Sequence, residues 1–415
     1  MAGGQPFRTN INPALLYYQA FLAAPDLEPA DHDYLLSNTN NWRGQKLPKR
    51  FGELIAMYDG QFRLVRQATR ATVPCDWGID LSAGPPTLLP HLARAKAVTQ
   101  TARLRALWDL QQGRQADACD DLLAGIALGR SLSRDGTVIS VLVQMAIEAI
   151  VCDTVAENFG QFSPETLQRL VEGFDAAPAR GTVAGGVPVE KSFVHGWTLR
   201  KIEELQQQNA GNDAKVMEGI RQFLGFADPE LSETNRWERL TQAAGGTSDG
   251  VLKLVQERAR IYDRVAVLLA LPYSDYETQM KPFREEIEKS PNPLINEIFS
   301  GFLKSRAREF RIQVVLAMVR AALEYKLHGE QGLQSVTDPC GQGPFAFQRF
   351  VFEGVDRGFE LKSAFDAGGF QQTLIFVEKA GPPFLVDGPR AGQALPSAAS
   401  ATEAFERRYG IPRGK

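Results

Sequence analysis

The sequence predicts a mainly α-helical protein, an irregular array of helical hairpins followed by a small antiparallel β-sheet near the C-terminal end. Two observations predict this fold class. Apolar residues recur at three- and four-residue steps as far as Gly329, which is the period of a helix that buries one face. After Gly329 the apolar runs become short, aromatic and partly alternating, as in the strands of a small antiparallel sheet.

The first helices are predicted from their start signals. Asn12 and Pro13 open a helix, because asparagine caps a helix well and proline fits its first turn. A second helix begins near Pro29, and a third is predicted over residues 48–72. After the central stretch, Ser163 and the proline that follows it start another helix.

The central stretch, residues 96–159, predicts three consecutive helices. Gly113 can adopt the left-handed conformation that ends the first helix, and an apolar stripe follows for the second. The third, 137–159, is apolar on nearly every side and is predicted to be a buried central helix. Three polar residues interrupt it and argue against a membrane span: Gln144, Glu148 and Asp153.

Residues 178–188 are small and lack an apolar period, which predicts a hinge. Beyond the hinge, further helices are predicted at 188–209, 213–225, 230–243, 251–271, 275–289, 291–303 and 304–328.

Strands are predicted in the runs 344–352, 358–363 and 372–377, and the tail is predicted to be loose until a short helix at 402–408. The chain therefore divides, by prediction, into four parts. These are an N-terminal helical array (1–178), a second helical segment (188–329), a small β appendage (338–390) and a loose tail (391–415).

One hairpin of the array resembles a tetratricopeptide repeat. The resemblance rests on residues 107–118, LWDLQQGRQADA, in which Gly113 stands where that repeat turns. Ala118 stands where the second helix of the repeat packs closely on the first. The match covers residues 96–130, and no second copy follows at the same period. It implies one tetratricopeptide-like hairpin within an otherwise irregular array.

Residues 316–363 resemble the C-terminal part of the major pseudopilins of type II secretion. The segments that carry the resemblance are ALEYKLHG (322–329), DPCG (338–341), PFAF (344–347) and GFELKS (358–363). In that family a long helix ends at a glycine, and an Asp-Pro segment leads into a β-hairpin, so the resemblance implies this local fold.

The chain departs from the pseudopilin pattern at several points. Gln331-Gly332 replaces the Tyr-Pro that follows the family's helix, and the acidic, glycine-rich calcium loop and the hydrophobic N-terminal pilin helix are missing. Calcium binding and a pilus role are therefore not carried over. The early NPALLYY helix together with this ending resembles exported bacterial helical proteins of no assigned function.

Composition and charge narrow the possible partners. The hydrophobic content of 44% and charged content of 23% are ordinary, and the net charge of −3 gives no general footprint for nucleic acid. Residues 43–105 nevertheless carry a local excess of basic residues. Arg63, Arg66 and Arg70 are predicted to share one helix face that could bind an anionic partner, although such a row is more often a solvated surface.

No catalytic residue, metal ligand or cofactor is predicted. The chain contains no HExxH, no Gly-x-Ser-x-Gly and no Walker loop, and each of its four histidines stands alone. His91 and His328 are interpreted as residues that cap helix ends. Asp120 and Asp121 are interpreted as exposed surface charge.

The four cysteines show no metal-binding spacing. Cys119 and Cys152 are predicted to lie on touching helices, which permits a disulfide, but two small buried thiols are also consistent with the sequence.

Aromatic residues are the candidates for partner binding. Tyr17, Tyr18, Trp108 and Trp197 lie in the first half of the chain and could line a concave helical surface that binds a peptide or an apolar ligand. The alternative is that they fill the core between helices. His195 is a further candidate, either as a general base with Glu203 and Glu204 or as an interface histidine.

The resulting expectation is a non-enzymatic binding or scaffold protein of the bacterial cell envelope that holds a protein or peptide partner in an inter-helical groove. The alternative is an enzyme or small-ligand carrier with a pocket near the 178–188 hinge. The N-terminal residues contain no apolar run, so the expected location is the cytoplasm, or the periplasm or cell envelope if an export signal has been removed. The identity of the partner and the oligomeric state do not follow from the sequence.

Overall fold

A computed structural model describes residues 10–36, 42–44, 46–225, 234–366 and 369–395. The described chain is mainly helical and carries a small antiparallel sheet near its C-terminal end, so the predicted fold class is confirmed. In chain order the first helices are α1 (Pro13–Leu22), α2 (Pro29–Leu36), α3 (Lys49–Ala56), α4 (Asp59–Ala68), α5 (Pro90–Gln111), α6 (Gln115–Leu132), α7 (Val138–Glu157) and α8 (Pro164–Ala176).

The second half of the chain is built in the same way before the sheet begins. Its helices are α9 (Val183–Glu190), α10 (Trp197–Gln208), α11 (Asp213–Phe223), α12 (Thr234–Ala243), α13 (Ser248–Glu257), α14 (Ala259–Leu269), α15 (Tyr273–Glu288) and α16 (Pro293–Gln334). A π-helical turn, Lys191–Gly196, connects α9 to α10. The strands are β1 (Ala346–Phe352), β2 (Val355–Asp366) and β3 (Gln371–Val377).

The predicted turn at Gly113 is present between α5 and α6. Gly113 has a φ of +75°, and its backbone N–H donates to Leu110 O over 3.0 Å, as expected for a glycine that ends a helix. Helix α7 packs on this hairpin as the predicted buried central helix, and the polar residues Gln144 and Glu148 on it are fully buried. Among the described residues, α7 is the one helix with the length and apolar composition of a membrane span, and most of that apolar stretch is covered by protein.

Two predicted helices are each divided in the structure. Residues 48–72 form α3 and α4, and residues 251–271 form α13 and α14. At the first break Arg105 Nη1 donates to Ile55 O, and near the second Asn292 Nδ2 donates to Leu254 O over 2.8 Å. In each case a side chain from another element binds a carbonyl in the last turn of a helix, so the helix can end there at low cost.

In residues 291–328, by contrast, two predicted helices are joined into one. This helix, α16, breaks only at Gly329, where φ is +64°.

The predicted hinge at 178–188 is wrong. Most of the segment belongs to α9, which Thr182 caps by accepting a hydrogen bond from Gly185 N over 3.0 Å. Val183 and Val187 are buried, and a Cβ at Gly186 would lie 2.8 Å from a methyl group of Val138 on α7. The small residues thus allow α9 and α7 to pack closely. From the sequence alone the same composition is typical of a flexible linker.

Three hydrophobic clusters hold the helices together. The first joins α1–α4 to α5, the second joins α6–α9 to α14–α16 and the sheet, and the third joins α10, α11 and α13. The second cluster contains residues from Ala106 to Val386. The domain boundaries drawn from the sequence stay predictions.

The sheet has the order β1-β2-β3 with antiparallel neighbours, and Leu361 of β2 pairs with Phe347 of β1 and Leu374 of β3. Its inner face packs on α7 and α16 through an aromatic cluster of Phe159, Tyr325, Phe347, Phe359 and Phe376. The predicted helix at 402–408 lies outside the described residues.

Asp338 stabilises the loop before the sheet through hydrogen bonds. Its buried carboxylate accepts hydrogen bonds from Ser363 Oγ over 2.8 Å, Ala364 N over 2.7 Å and Cys340 N over 3.0 Å.

The cysteines are free thiols. Cys119 and Cys152 are both buried and unbonded, so the disulfide alternative is wrong and the alternative of two buried thiols is confirmed. Burial raises the pKa of the Cys119 thiol to about 12 and raises that of Cys152 as well.

Candidate functional site

Three of the aromatic candidates, Tyr17, Tyr18 and Trp108, belong to the hydrophobic cluster around α1–α5, whereas Trp197 does not. Tyr17 is buried and stacks on Trp77 with ring centroids 5.7 Å apart, while the Tyr18 hydroxyl donates to Trp77 O over 3.3 Å. Trp108 packs against Gly52, where an added Cβ would lie 2.1 Å from the indole.

Trp197, the first residue of α10, makes different contacts. It covers Gly84 and meets the Phe223 ring edge-on at 5.6 Å. The structure therefore uses each of these rings in packing and does not bring them to one surface.

The three arginines of α4 and its C-terminal turn differ from one another in role. Arg63 and Arg70 are exposed, but Arg66 Nε donates to Asp121 Oδ1 over 2.7 Å. Arg105 Nε donates to the other oxygen of the same carboxylate over 2.8 Å, and Asp121 has no exposed surface. The interpretation of Asp121 as surface charge is thus wrong, because two arginines compensate its burial.

His195 does not meet the carboxylates that the sequence suggested. It lies in the π-helical turn, is 5% exposed and packs beside Tyr262. Burial, with Arg258 and Lys191 nearby, lowers its pKa to about 4, so the imidazole is neutral at pH 7. Glu203 and Glu204 are exposed on α10.

A surface cavity of about 410 Å³ lies close to this turn. It is lined by Leu81, Ser82, Pro188, Val189, Ser192, Phe193 and Arg200, and His195 is not part of its wall.

His91 was interpreted as a capping residue, which is wrong. Its ring is enclosed and stacks on Trp77 with centroids 4.8 Å apart, and Nε2 lies 3.7 Å from an oxygen of Asp135.

A different pocket has the features of a binding site. It has a volume of about 370 Å³ and lies between the helices and the loop that follows β3. Three distant stretches build it: residues 42–44 with 46 and 47, the facing parts of α5 and α7 with the turn after α7, and Arg357 with residues 377–384 and 386. Its apolar wall consists of Trp42, Leu47, Leu107, Val377, Pro382, Pro383, Phe384 and Val386.

Hydrogen bonds hold the segments of the chain that form this pocket in position. Gln111 on α5 donates to Leu47 O over 3.0 Å and accepts from Leu47 N over 2.6 Å, which fixes the segment that carries Lys46. On the other side, Glu378 N donates to Arg357 O over 2.8 Å and keeps the loop after β3 against β2.

Arg357 is the most buried charged residue of the pocket wall. It is 4% exposed, and its guanidinium donates from Nε to Lys379 O over 2.8 Å and from Nη1 to Pro382 O over 3.1 Å. Within the described residues it forms no ion pair, and burial lowers its pKa, although the negative charge of Glu353 acts in the opposite direction. The pocket wall thus contains a buried cation that has no carboxylate in ion-pair contact among the described residues.

The two acidic residues of the wall are both paired. Glu157, at the end of α7, lies 2.8 Å from Arg43 Nε and 3.1 Å from Arg103 Nη2. Glu378 lies 3.2 Å from Lys326 Nζ and 2.8 Å from Arg349 Nη1. Their charges are therefore already compensated.

Asp153 lies one turn before Glu157 on α7. Its Oδ1 is enclosed and has no hydrogen-bond partner among the described residues. Burial and the negative charges of Asp387 and Glu157 together raise the pKa of Asp153 to about 8, although Arg43 and Arg311 act in the opposite direction. At pH 7 this carboxyl is therefore mostly protonated and adds little charge behind the pocket.

The pocket offers cationic hydrogen-bond donors and an apolar wall, which can hold a ligand in place. Its wall contains no serine, cysteine or histidine that could act as a nucleophile or base. Within the part of the chain that the structure describes, no group of three or more histidine, cysteine or acidic residues is arranged to hold a metal ion.

No family model, curated protein or solved structure gives a significant match to this chain. The tetratricopeptide-like hairpin and the pseudopilin-like ending therefore stay predictions that rest on the sequence.

No local pattern in the sequence identifies this pocket as a whole. Its first and last residues are more than three hundred positions apart in the sequence. Arg357 lies in a run of polar and apolar residues that is ordinary for a strand. Only the Pro382-Pro383-Phe384 run marks an unusual loop.

Proposed function

We propose that the protein is a non-enzymatic binding protein that holds a peptide, or an exposed segment of a protein partner, in the pocket between α5, α7 and the loop after β3. The observation that carries this proposal is the pocket itself, in which an apolar wall is combined with convergent cationic donors. The two carboxylates of the wall, Glu157 and Glu378, are held in ion pairs, and the remaining groups of the wall offer contacts that hold a ligand.

Charge reversal at the pocket mouth tests this function. Lys46 and Lys379 are exposed on the pocket wall, so Lys46→Glu and Lys379→Glu should leave the fold intact. Lys215→Glu, at an exposed lysine on α11 and away from the pocket, is the matched control. Immobilised wild-type protein is used to recover partners from a bacterial envelope extract. We expect a partner that is retained by the wild type and the control and lost with the double variant.

Equal recovery by the wild type, the double variant and the control would show that this pocket does not hold the partner. The placement in the bacterial cell envelope is a separate part of the proposal, supported by the pseudopilin-like ending. Cell fractionation tests it, and recovery only in the cytoplasmic fraction would exclude it.

A small-ligand carrier is a second candidate. It is favoured by the cavity of about 410 Å³ beside α9, where Ser192 and Arg200 offer polar contacts to a ligand. Because His195 lies outside that cavity, the candidate is a carrier rather than an enzyme. A metabolite that raises the melting temperature of the wild type but not of Arg200→Ala would support it.

A further inference from the structure

We propose that the pocket between α5, α7 and the loop after β3 recognises a carboxylate attached to an apolar group, with Arg357 as the principal contact and Lys46 and Lys379 at the mouth. This inference rests on the proposed binding function and names the chemistry of its ligand. The ligand class that fits is a peptide whose free C-terminal carboxylate follows an apolar side chain.

The first argument is that Arg357 forms no direct ion pair among the described residues, although Glu353 exerts a weaker opposing charge effect. Burial of a cation without a counter-ion is costly, and proteins usually place an acid beside a buried arginine. Here the acids of the wall are paired with other cations, and Arg357 is satisfied only by the carbonyls of Lys379 and Pro382. An anionic ligand would supply the missing charge.

The second argument is that the guanidinium is held in place. Arg357 lies on β2, and a Cβ at Gly381 would be 2.5 Å from Nη1, so the loop passes directly over the guanidinium. The Phe384 ring packs against the same group, with 5.3 Å between its centroid and Cζ. Two of the five N–H groups are used by the backbone carbonyls, and the structure shows no other hydrogen bond from this guanidinium within the described residues. A fixed donor group loses little entropy when it binds.

The third argument distinguishes a carboxylate from a phosphate. Glu157 and Glu378 lie on the same wall as Arg357, and each of them is bound by two cations. Arg357 is therefore the one buried cation of the wall without an ion-pair partner among the described residues, and the single charge of a carboxylate matches it, whereas a phosphate brings a second charge that this cation does not offset.

The fourth argument concerns the size and lining of the pocket. Its volume of about 370 Å³ lies near the lower end of ligand pockets, so it accommodates one side chain and a terminal group rather than a folded domain. Leu107, Val377, Phe384 and Val386 would cover an apolar side chain beside the carboxylate.

The test uses small probes and the full chain. N-acetyl-phenylalanine provides the carboxylate, N-acetyl-phenylalaninamide provides the same shape without charge, and phenylphosphonate provides a doubly charged group. Affinities are measured by saturation-transfer NMR titration. We expect the acid to bind at least about tenfold more tightly than the amide, the order expected when a charge-assisted hydrogen bond is lost. The phosphonate should bind more weakly than the acid.

Variants locate the contact. Arg357→Gln should abolish the preference for the acid over the amide, and Arg357→Lys should retain part of it because the charge is kept and the forked geometry is lost. Because Arg357 is buried, its variants are checked by circular dichroism and melting temperature. Lys46 and Lys379 are exposed, so the double variant Lys46→Glu and Lys379→Glu should fold normally, and we expect it to bind the acid more weakly. We expect the control, Lys215→Glu, to bind the acid as the wild type does.

Three results would overturn the inference. Equal binding of the acid and the amide would show that the pocket does not recognise a carboxylate. Tighter binding of the phosphonate would show that a doubly charged group is preferred. An unchanged preference for the acid in folded Arg357→Gln would show that Arg357 is not the principal contact. Each of these leaves the binding function standing, because that function is decided separately by partner recovery with the pocket variants.

Discussion

Buried carboxylates that are bound by arginines recur at the contacts between helices. Asp121 binds Arg66 and Arg105, and Glu148 binds Arg130 and Arg180, with both carboxylates fully buried. Glu309 accepts from Arg306 over 2.6 Å and from Val183 N over 3.2 Å. Asp121 on α6 joins α4 and α5, Glu148 on α7 joins α6 and the segment before α9, and Glu309 on α16 joins the start of α9. These residues therefore fix how the helices meet, a task that apolar contacts alone perform with less specificity.

Replacement of Asp121 tests this role. In Asp121→Ala, Arg66 and Arg105 lose their shared buried partner and keep only the exposed carboxylates of Asp117 and Asp59, so we expect a loss of about 3 kcal/mol in the free energy of unfolding, at the lower end for a broken buried ion pair. The adjacent residue provides the control. Asp120 pairs with Arg169 at the surface, with side chains 32% and 47% exposed, so Asp120→Ala should cost less than about 1 kcal/mol. Urea denaturation of both variants gives the comparison, and similar losses would contradict the role given to Asp121.

Asp153 gives the stability a pH dependence of known sign. Its ordinary pKa is 3.8, and in the folded chain burial raises its pKa to about 8. Between about pH 4 and pH 8 the folded state keeps a proton that the unfolded state has released. The stability contributed by this residue therefore falls as the pH rises through that window and is constant outside it.

Asp153→Asn removes this titration. We expect the variant to gain stability relative to the wild type as the pH rises from about 4 to 8, by at most roughly 1.4 kcal/mol per pH unit. The same residues titrate elsewhere in both chains, so the difference between the two denaturation curves reports the titration of residue 153 together with its coupling to Asp387 and Glu157. A difference that stays flat across this window would contradict the raised pKa.

The elements themselves were largely predictable, because their limits are local. The period of apolar residues identified α5, α6 and α7, and the residue type at Gly113 identified the turn. The breaks at the end of α3 and at Arg258 were missed, since the side chains that bind the freed carbonyls come from other elements. The prediction of a hinge at residues 178–188 was wrong for a related reason. Its glycines serve the packing of α9 on α7, and only the fold brings those helices together.

The turn between α5 and α6 depends on the conformation of one residue. Gly113 has a φ of +75°, and a Cβ there would meet no other atom within 4 Å, so a substitution acts through backbone strain alone. A β-branched residue is poorly accommodated in this conformation, and we expect Gly113→Val to lower the free energy of unfolding by about 1–2 kcal/mol.

Gly301 is the matched control for that substitution. It lies within α16, also has free space around it and has no positive φ. Gly301→Ala should therefore stabilise the protein by about 0.5–1 kcal/mol. Thermal denaturation of both variants tests the pair, and an unchanged stability of Gly113→Val would mean that the turn tolerates a side chain.

At the scale of the whole molecule, the sheet and the helical body meet at the end of α7. Phe159 packs edge-on against Phe359 and Phe376, with centroids 5.6 and 5.2 Å away, and the next residue is Gly160. The pocket lies beside this junction and takes residues from both sides of it. Such a site exists only after distant parts of the chain have packed, so no local pattern in the sequence could have located it. The helices that carry part of its wall, by contrast, were predicted.

Gly160 tests whether the pocket depends on this junction. A Cβ at residue 160 would lie 2.1 Å from Glu378 O, a backbone atom that can move only if the loop after β3 moves. Gly160→Ala should therefore cost about 1–3 kcal/mol, as overpacking typically does, and should weaken binding of N-acetyl-phenylalanine because Glu378 and Lys379 line the pocket.

Gly343→Ala is the control for this change, since Gly343 precedes β1 and has open space around it. We expect this variant to keep both the melting temperature and the affinity of the wild type. If Gly160→Ala loses stability yet binds the acid with unchanged affinity, the pocket does not depend on the contact between α7 and the loop. If both properties fall together, the junction that joins the sheet to the helices is also what shapes the binding site, and the β appendage has a direct part in recognition.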